Sequence, residues 1–343
     1  MIAPATEVRR MAEQARAVGY GAAPELAFQR YQDVVNLIGD DDPTPLLADV
    51  LRWQGTVLRD RGRASEAEPL YRRSLQVASD IGYESGVAHA LNCLAGLAQR
   101  RGNIVSAANI LTDAHIMAEK CGERQLIVMI QSNLGIIADI RGNPVAALAH
   151  FRVALRTAEA IGDEQQVVRV LINLGCFLIK QQRHDEAESA LARGLAIAKN
   201  RGELYYEGVI EENLAELHLT LGETDEAHRS IRRALEISEQ RRDDVHKAAA
   251  LKLRGAYERL SGRPREAVDT LRYGLTLAAV GEDALLGGEI LYQFGLALYE
   301  ANDAPMAREV WRTALEAFER IAAREWIARV NERLEYGSTR RYL

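Results

Sequence analysis

The stretch LGIIADIRGNPVAALAHFRVALRTAEAIG, residues 134–162, decides the fold. Leu134, Ile137 and Ala138 recur at helical spacing, and Gly142-Asn143-Pro144 then interrupts the helix. A proline at a first helical position starts a second helix, because its missing N–H would have found no partner there. Ala147, Phe151, Ala154, Leu155 and Ala158 line one face of that second helix. Gly162 stands where a left-handed C-cap is wanted. The stretch reads as two helices packed antiparallel across a tight turn.

The same pattern returns every 40 residues in both directions. Ala15, Gly55, Ala95, Gly135, Gly175, Ala215, Gly255 and Gly295 form one small register; Ala27, Ala67, Ala107, Ala147, Ala187, Ala227, Ala267 and Ala307 form another. Pro24 and Pro264 share the position of Pro144. Two helices approach closely only where bulky side chains are missing, so Gly135 is expected to oppose Ala147 at the crossing. Ala114, Ala154, Gly194, Ala234, Gly274 and Ala314 are expected to pack between neighbouring pairs. The large register Tyr31, Tyr71, Leu111, Phe151, Leu191, Ile231, Leu271 and Trp311 fills the space between helices. A period of this length signals a solenoid and overrides any count of domains from chain length.

The pattern Leu-Gly, a turn glycine, then Ala, a large apolar residue and Ala resembles the tetratricopeptide repeat. That repeat has 34 residues; each unit here is six longer, which lengthens the helices. The phrase FRVALRTAEAIGD, 151–163, is similar to the longer subtype found in kinesin light chains, spindle-orientation adaptors, Rap-type regulators and the arms of LuxR-type (MalT-like) regulators. The resemblance implies an all-α, right-handed solenoid of about eight helix-turn-helix repeats, from about 6 to 320, in a single superhelical domain spanning 1–343. Residues 322–336 are expected to form a capping helix, and 337–343 are too few for the DNA-binding module of a LuxR-type protein. The chain departs from the family pattern: the terminal proline of the repeat is replaced by Ser79, Glu119, Glu159, Lys199 and Glu239, and Gln182 and Asn302 replace the turn glycine.

Little in the chain points to chemistry. A net charge of −6 disfavours direct nucleic-acid binding. The 38 arginines are scattered, with only five lysines beside them. Cys93, Cys121 and Cys176 suit neither a disulfide framework nor a metal spacing, and a reducing cytoplasm is the expected compartment. No run is apolar enough for a membrane span. Gly19-Tyr20-Gly21 lacks the third glycine of a dinucleotide fingerprint, and no phosphate loop occurs. No cofactor or metal is expected. Asp40-Asp41-Asp42, with Thr44, reads as helix capping rather than cation binding, and His218 and His228 read as solvated groups beside a turn.

What remains is the concave face, which the resemblance assigns to the first helix of each repeat. Asn133, Asn173 and Asn213 stand in 40-residue register, immediately before the leucine that precedes the small position. A mediocre helix former three times over asks for a reason. Either the amides form a ladder that pairs with the backbone of an extended peptide, as asparagines matching this position do in the related adaptors, or each bonds the neighbouring helix. Arg169, Lys180, Glu212 and Glu216 surround the ladder, with Ile136, Ile172, Cys176 and Ile179 as an apolar floor. Trp53 with Arg52 and Arg59, and Tyr292 with Tyr299, are further candidate anchors. The expected function is a non-enzymatic scaffold binding a protein or peptide segment in this groove, with homo-oligomerisation open. The alternative is a regulatory sensor of a small ligand or signalling peptide; an enzyme is the least supported reading, since no convergent titratable groups are visible.

Overall fold

The computed structural model describes residues 5–19, 24–39, 43–280, 284–321 and 323–336. Tyr20, Gly21, the Asp40-Asp41-Asp42 run and 337–343 lie outside these, so the expectations placed on them go no further. Among the described residues there are seventeen α-helices and no strand. The chain falls into two compact units, Met1–Tyr205 and Tyr206–Leu343.

The first unit holds α1 (Ala5–Gly19), α2 (Pro24–Ile38), α3 (Pro45–Asp60), α4 (Ala64–Asp80), α5 (Glu84–Arg100), α6 (Ile104–Cys121), α7 (Arg124–Ile140), α8 (Pro144–Ala160), α9 (Glu164–Lys180) and α10 (His184–Arg201). In the second lie α11 (Leu204–Leu221), α12 (Thr224–Arg241), α13 (Asp244–Leu260), α14 (Pro264–Val280), α15 (Ala284–Glu300), α16 (Ala304–Arg320) and α17 (Arg324–Tyr336). Each unit is a stack of antiparallel helix pairs, the all-α solenoid that the repeat period implies.

Helix ends follow the local sequence. Asn143 accepts a hydrogen bond from the Ala146 N–H and Pro144 opens α8; Thr44 accepts from Leu47 before α3, at 3.2 Å. In the turn after α7, Gly142 takes φ 72°. Its N–H bonds the Asp139 carbonyl at 2.8 Å, and that of Asn143 bonds the Ala138 carbonyl at 2.9 Å. These bonds need the left-handed conformation, which only glycine enters without steric cost. Gln182 and Asn302, expected to stand in for glycine, do so at φ 58° and 69°, and Arg242 does the same at 51°. Arg242 stands in register with Gly82, Gly122, Gly162 and Gly202, the glycines of the turn after the second helix.

The two small registers are buried, and Gly55 faces the Ala67 carbonyl, with a Cβ there falling 3.2 Å from it. All eight alanines of the second register are fully buried. Nearest of all, however, is the large register: a Cβ on Gly135 would fall 2.7 Å from the ring of Phe151. Gly55 similarly makes room for Tyr71 at 2.8 Å, and Gly175 for Leu191 at 2.6 Å. In the second unit Gly255 and Gly295 accommodate Leu271 and Trp311. The glycine is therefore the socket for the large residue sixteen positions later, and the alanine one turn before that residue lets the helices close around it. Gly274 faces Leu251 and Ile290 of α13 and α15, which places the third small register between neighbouring pairs. At the end of the second unit, Trp326 of α17 stacks on Phe318 with centroids 5.2 Å apart, so this helix caps the last pair.

Gly135→Ala is expected to lower stability by about 1–3 kcal/mol, the cost of forcing a methyl into a filled site. Adding Phe151→Leu should make the double variant more stable than the two single losses predict, because Ala95 with Leu111 and Ala215 with Ile231 already pair an alanine with a branched aliphatic. Urea unfolding of the four proteins measures the coupling; strict additivity would show that the socket is not where the strain lies.

Candidate functional site

Within the first unit α1 touches α3, α3 touches α5, α5 touches α7 and α7 touches α9, so the first helices of successive pairs line one face side by side. In the second unit α13 and α15 meet in the same way. These inner faces carry the positions singled out in the sequence.

The amide ladder is partly spent on architecture. Asn133 Nδ2 donates to Asn92 Oδ1 at 2.8 Å, and Asn173 Nδ2 donates to Ser132 Oγ at 2.9 Å. Both bonds join one first helix to the preceding one, across 41 residues. Asn213 donates to the Val209 carbonyl of its own helix at 2.7 Å. Asn92 and Ser132 were missed in the sequence, although both are polar residues standing one place before the ladder register. The carbonyl oxygens of Asn133 and Asn173 have no hydrogen-bond partner among the described residues, and both side chains are half-buried.

Around the ladder, Arg169 is half-buried on α9 with no ionic or hydrogen-bonding partner among the described residues. Lys180 is exposed and reaches Asp139 Oδ2 at 3.4 Å. Ile136 and Cys176 are half-buried in one register, and Gly96 precedes them there; a Cβ on Gly96 would meet nothing within 4 Å, so the face is open at that point. Arg52 is already bonded to Asp49 at 2.8 Å, which also accepts from the Tyr83 hydroxyl at 3.2 Å. Trp53 lies under Arg52 and against Tyr31, with ring centroids 6.1 Å apart, and Arg59 is held by Asp60 at 2.6 Å. These anchors at the start of the first unit are committed to internal contacts.

The second unit presents ion pairs instead of amides. Glu212 binds His246 Nδ1 at 3.0 Å. Burial opposes charge on that ring, but the Glu212 carboxylate, with help from Asp243, outweighs it and raises His246 to about 9. Lys252 pairs with Glu289; burial again opposes the charge, yet Glu289 and the exposed Glu216 hold Lys252 above the ordinary lysine range. Tyr292, expected as a groove anchor, is 1% exposed and belongs to the core. It meets Trp326 edge-on at 5.4 Å, and its hydroxyl accepts from Arg333 Nε at 3.2 Å. Tyr299 stacks on Trp311 at 6.0 Å. His218 also departs from expectation: it is buried, not solvated, with Nδ1 2.7 Å from Glu223. Among the described residues no helix is long and apolar enough to cross a membrane.

Residues 126–200 and 166–240 match the tetratricopeptide repeat model. No curated protein matches the chain in sequence. Among solved structures, the fold is similar to that of a Rap protein complexed with Competence and Sporulation Factor, with TM-score 0.64, 14% identity and 97% of each chain covered. Aspartyl phosphate phosphatase F from Bacillus subtilis matches at TM-score 0.60 with 12% identity, covering 92% of this chain and 95% of that one. A STAND protein with a tetratricopeptide repeat sensor from Pyrococcus horikoshii matches at 0.59 with 12% identity, over 90% of this chain and 52% of its own. Residues 126–240 thus match tetratricopeptide repeats, and the chain's fold is similar to that of these Rap-type structures.

A histidine whose folded-state pKa is raised stabilises the fold fully below its unfolded value, about 6.5. That contribution is lost as pH rises through the folded value near 9. Melting temperature is therefore expected to fall between pH 6.5 and 9 by more in the native chain than in Glu212→Gln. Parallel scans that show the same slope would remove Glu212 as the cause.

Proposed function

We propose that the chain is a non-enzymatic protein-interaction scaffold, and that an extended segment of a partner lies along the inner face of the first unit. The observation that carries this reading is the unspent half of Asn133 and Asn173: each amide bonds the preceding helix through one N–H and keeps its carbonyl oxygen for a partner. Packed helices stand about 8–10 Å apart, and a polyproline-type chain advances about 9 Å in three residues. One amide per helix therefore suits one peptide group in every three. Arg169 adds an uncommitted guanidinium for a carboxylate on the same segment. The likeness to a Rap protein solved with Competence and Sporulation Factor, and to a protein described as carrying a repeat sensor, supports a regulatory variant in which the bound segment is a signal.

Peptides selected from a random display library against the full chain are expected to bind less tightly to the Asn133→Ala/Asn173→Ala variant. Two lost hydrogen bonds at about 0.5–1.5 kcal/mol each amount to roughly 5–150-fold. Asn92→Ala with Ser132→Ala removes only the architectural partners, so it should lower the melting temperature and leave affinity within about threefold. Unchanged affinity in the ladder variant would confine these amides to stacking.

A further inference from the structure

Successive first helices pack side by side in the first unit, whereas α6 and α8 do not meet in that way, so a groove opens between them with α7 as its floor. The grooves on either side of it are filled by apolar clusters. Over α5, Leu75, Leu91 and Met117 join one cluster with Val87; over α9, Leu155, Leu171 and Ile197 do the same with Val167. Over α7 the three matching positions hold His115, Gln131 and Thr157. Every other repeat has valine or leucine at the first of these positions, from Val35 to Leu315, and an apolar residue at the third, from Leu37 to Ala317. The second is leucine or methionine everywhere else except in the sixth repeat, which has Glu211. Polar groups at these places forgo apolar burial. A cleft of about 420 Å³ stands where the neighbouring grooves are filled.

The charges around this cleft depart from the neighbouring repeats as well. Arg124 opens α7, where α5 and α9 open with Glu84 and Glu164. A cation in a first turn opposes the helix dipole that an acidic residue would satisfy. Arg156 lines the cleft from α8, at the position of Ile116 and Ala196. Neither guanidinium has a hydrogen-bond or ionic partner among the described residues. His115 contributes a buried Nδ1 that has no hydrogen-bond partner either. Its Nε2 lies 3.9 Å from Glu119, beyond hydrogen-bond reach. Gln131, by contrast, is engaged: its Oε1 accepts from His150 Nδ1 at 2.7 Å. Burial, and then the nearby His115, hold the His150 ring below the ordinary histidine range.

The unspent donors select the ligand. Among the lining residues Arg124 and Arg156 outnumber Glu119, and a proton on His115 adds to the same sign, so the lining is net positive in either state of that ring. We propose that this cleft binds a phosphate monoester, with the two guanidinium groups on two of its oxygens and the N–H of His115 Nδ1 on the third. At neutral pH such a group brings about two negative charges and three acceptor oxygens, which matches three donor groups; a carboxylate offers one charge and two oxygens. Ile127, Val153 and Ala160 give the rest of the molecule an apolar wall. The volume suits a small organic ester or one phosphorylated side chain, and the chemistry recognised is the same. Arg124, Ile127 and Gln131 share one side of α7 and Asn133 lies on the other, so this site stands apart from the amide ladder.

The test is a titration of the full chain at constant ionic strength with phenyl phosphate and the tripeptide glycyl-phosphoseryl-glycine, with benzoate and sodium sulfate as controls, read by melting temperature and calorimetry. A saturable response to at least one phosphate ester is expected, tighter than that to benzoate or sulfate. Arg124→Gln and Arg156→Gln, both at exposed positions, should each weaken it about tenfold or more by removing a charge-assisted hydrogen bond. His115→Leu restores the residue of the neighbouring repeats and should melt no lower than the native chain while losing the response. A response to phenyl phosphate assigns a small-molecule site, and one confined to the tripeptide assigns a phosphorylated side chain presented by a partner; either supports the proposal. It is overturned if neither ester gives a saturable response, if benzoate or sulfate binds as tightly, or if either arginine variant or a folded His115→Leu responds like the native chain. Should His115→Leu fail to fold, the arginine variants decide alone.

Discussion

Everything in this molecule depends on a socket. In the five helix pairs with a glycine at the crossing, that position receives the large residue that follows it by sixteen places, from Tyr71 over Gly55 to Trp311 over Gly295. The alanine one turn earlier on the second helix is fully buried, so the two backbones close around the large group. A core built this way is local. Each pair is complete except for the faces that it offers to its neighbours, which is why the pattern can be repeated along the chain and must be covered at an end. Stacking of Trp326 on Phe318 provides that cover in the second unit.

Polar groups then decide how neighbouring pairs are joined. Asn133 to Asn92, Asn173 to Ser132, Arg259 to Glu300 and Arg333 to Tyr292 all span 41 residues, one more than the repeat. The extra residue is the stagger between adjacent first helices, and it sets which side chain on one helix faces which on the next. In the first unit two of these stitches are neutral amides and hydroxyls with spare acceptors, beside the exposed Lys180–Asp139 pair that spans the same 41 residues. In the second they include buried charges, with His246 and Lys252 held by Glu212 and Glu289. An inner face closed by ion pairs has less left to offer an extended segment than one closed by half-used amides, which is the physical basis for placing the peptide surface in the first unit.

The alternation of rule and exception separates framework from candidate sites. A register held by alanine or leucine in every other repeat reports packing. In the sixth pair Glu207, Glu211, His218 and Ser230 are buried at registers that other repeats fill with Leu47, Leu51, Leu58 and Leu70 but also with Lys247, Gln131, Glu258 and His150. Repetition supplies the comparison within a single chain, without recourse to any relative.

The sequence by itself determined the helix pairs, their turns and their buried registers, because burial in a solenoid is a nearest-neighbour matter written in the period. It also marked Asn133, Asn173 and Asn213 as exceptional. It did not reveal that the ring of Phe151 lies nearest to Gly135, that Tyr292 lies in the core, or that His218 is buried beside Glu223. Nor did it show that two of the three asparagines already bond a neighbour while the third turns back on its own helix. Those outcomes belong to tertiary structure. Periodicity tells which side of a helix a residue occupies, whereas the partner of a polar group depends on the one-residue stagger and crossing of separate helices.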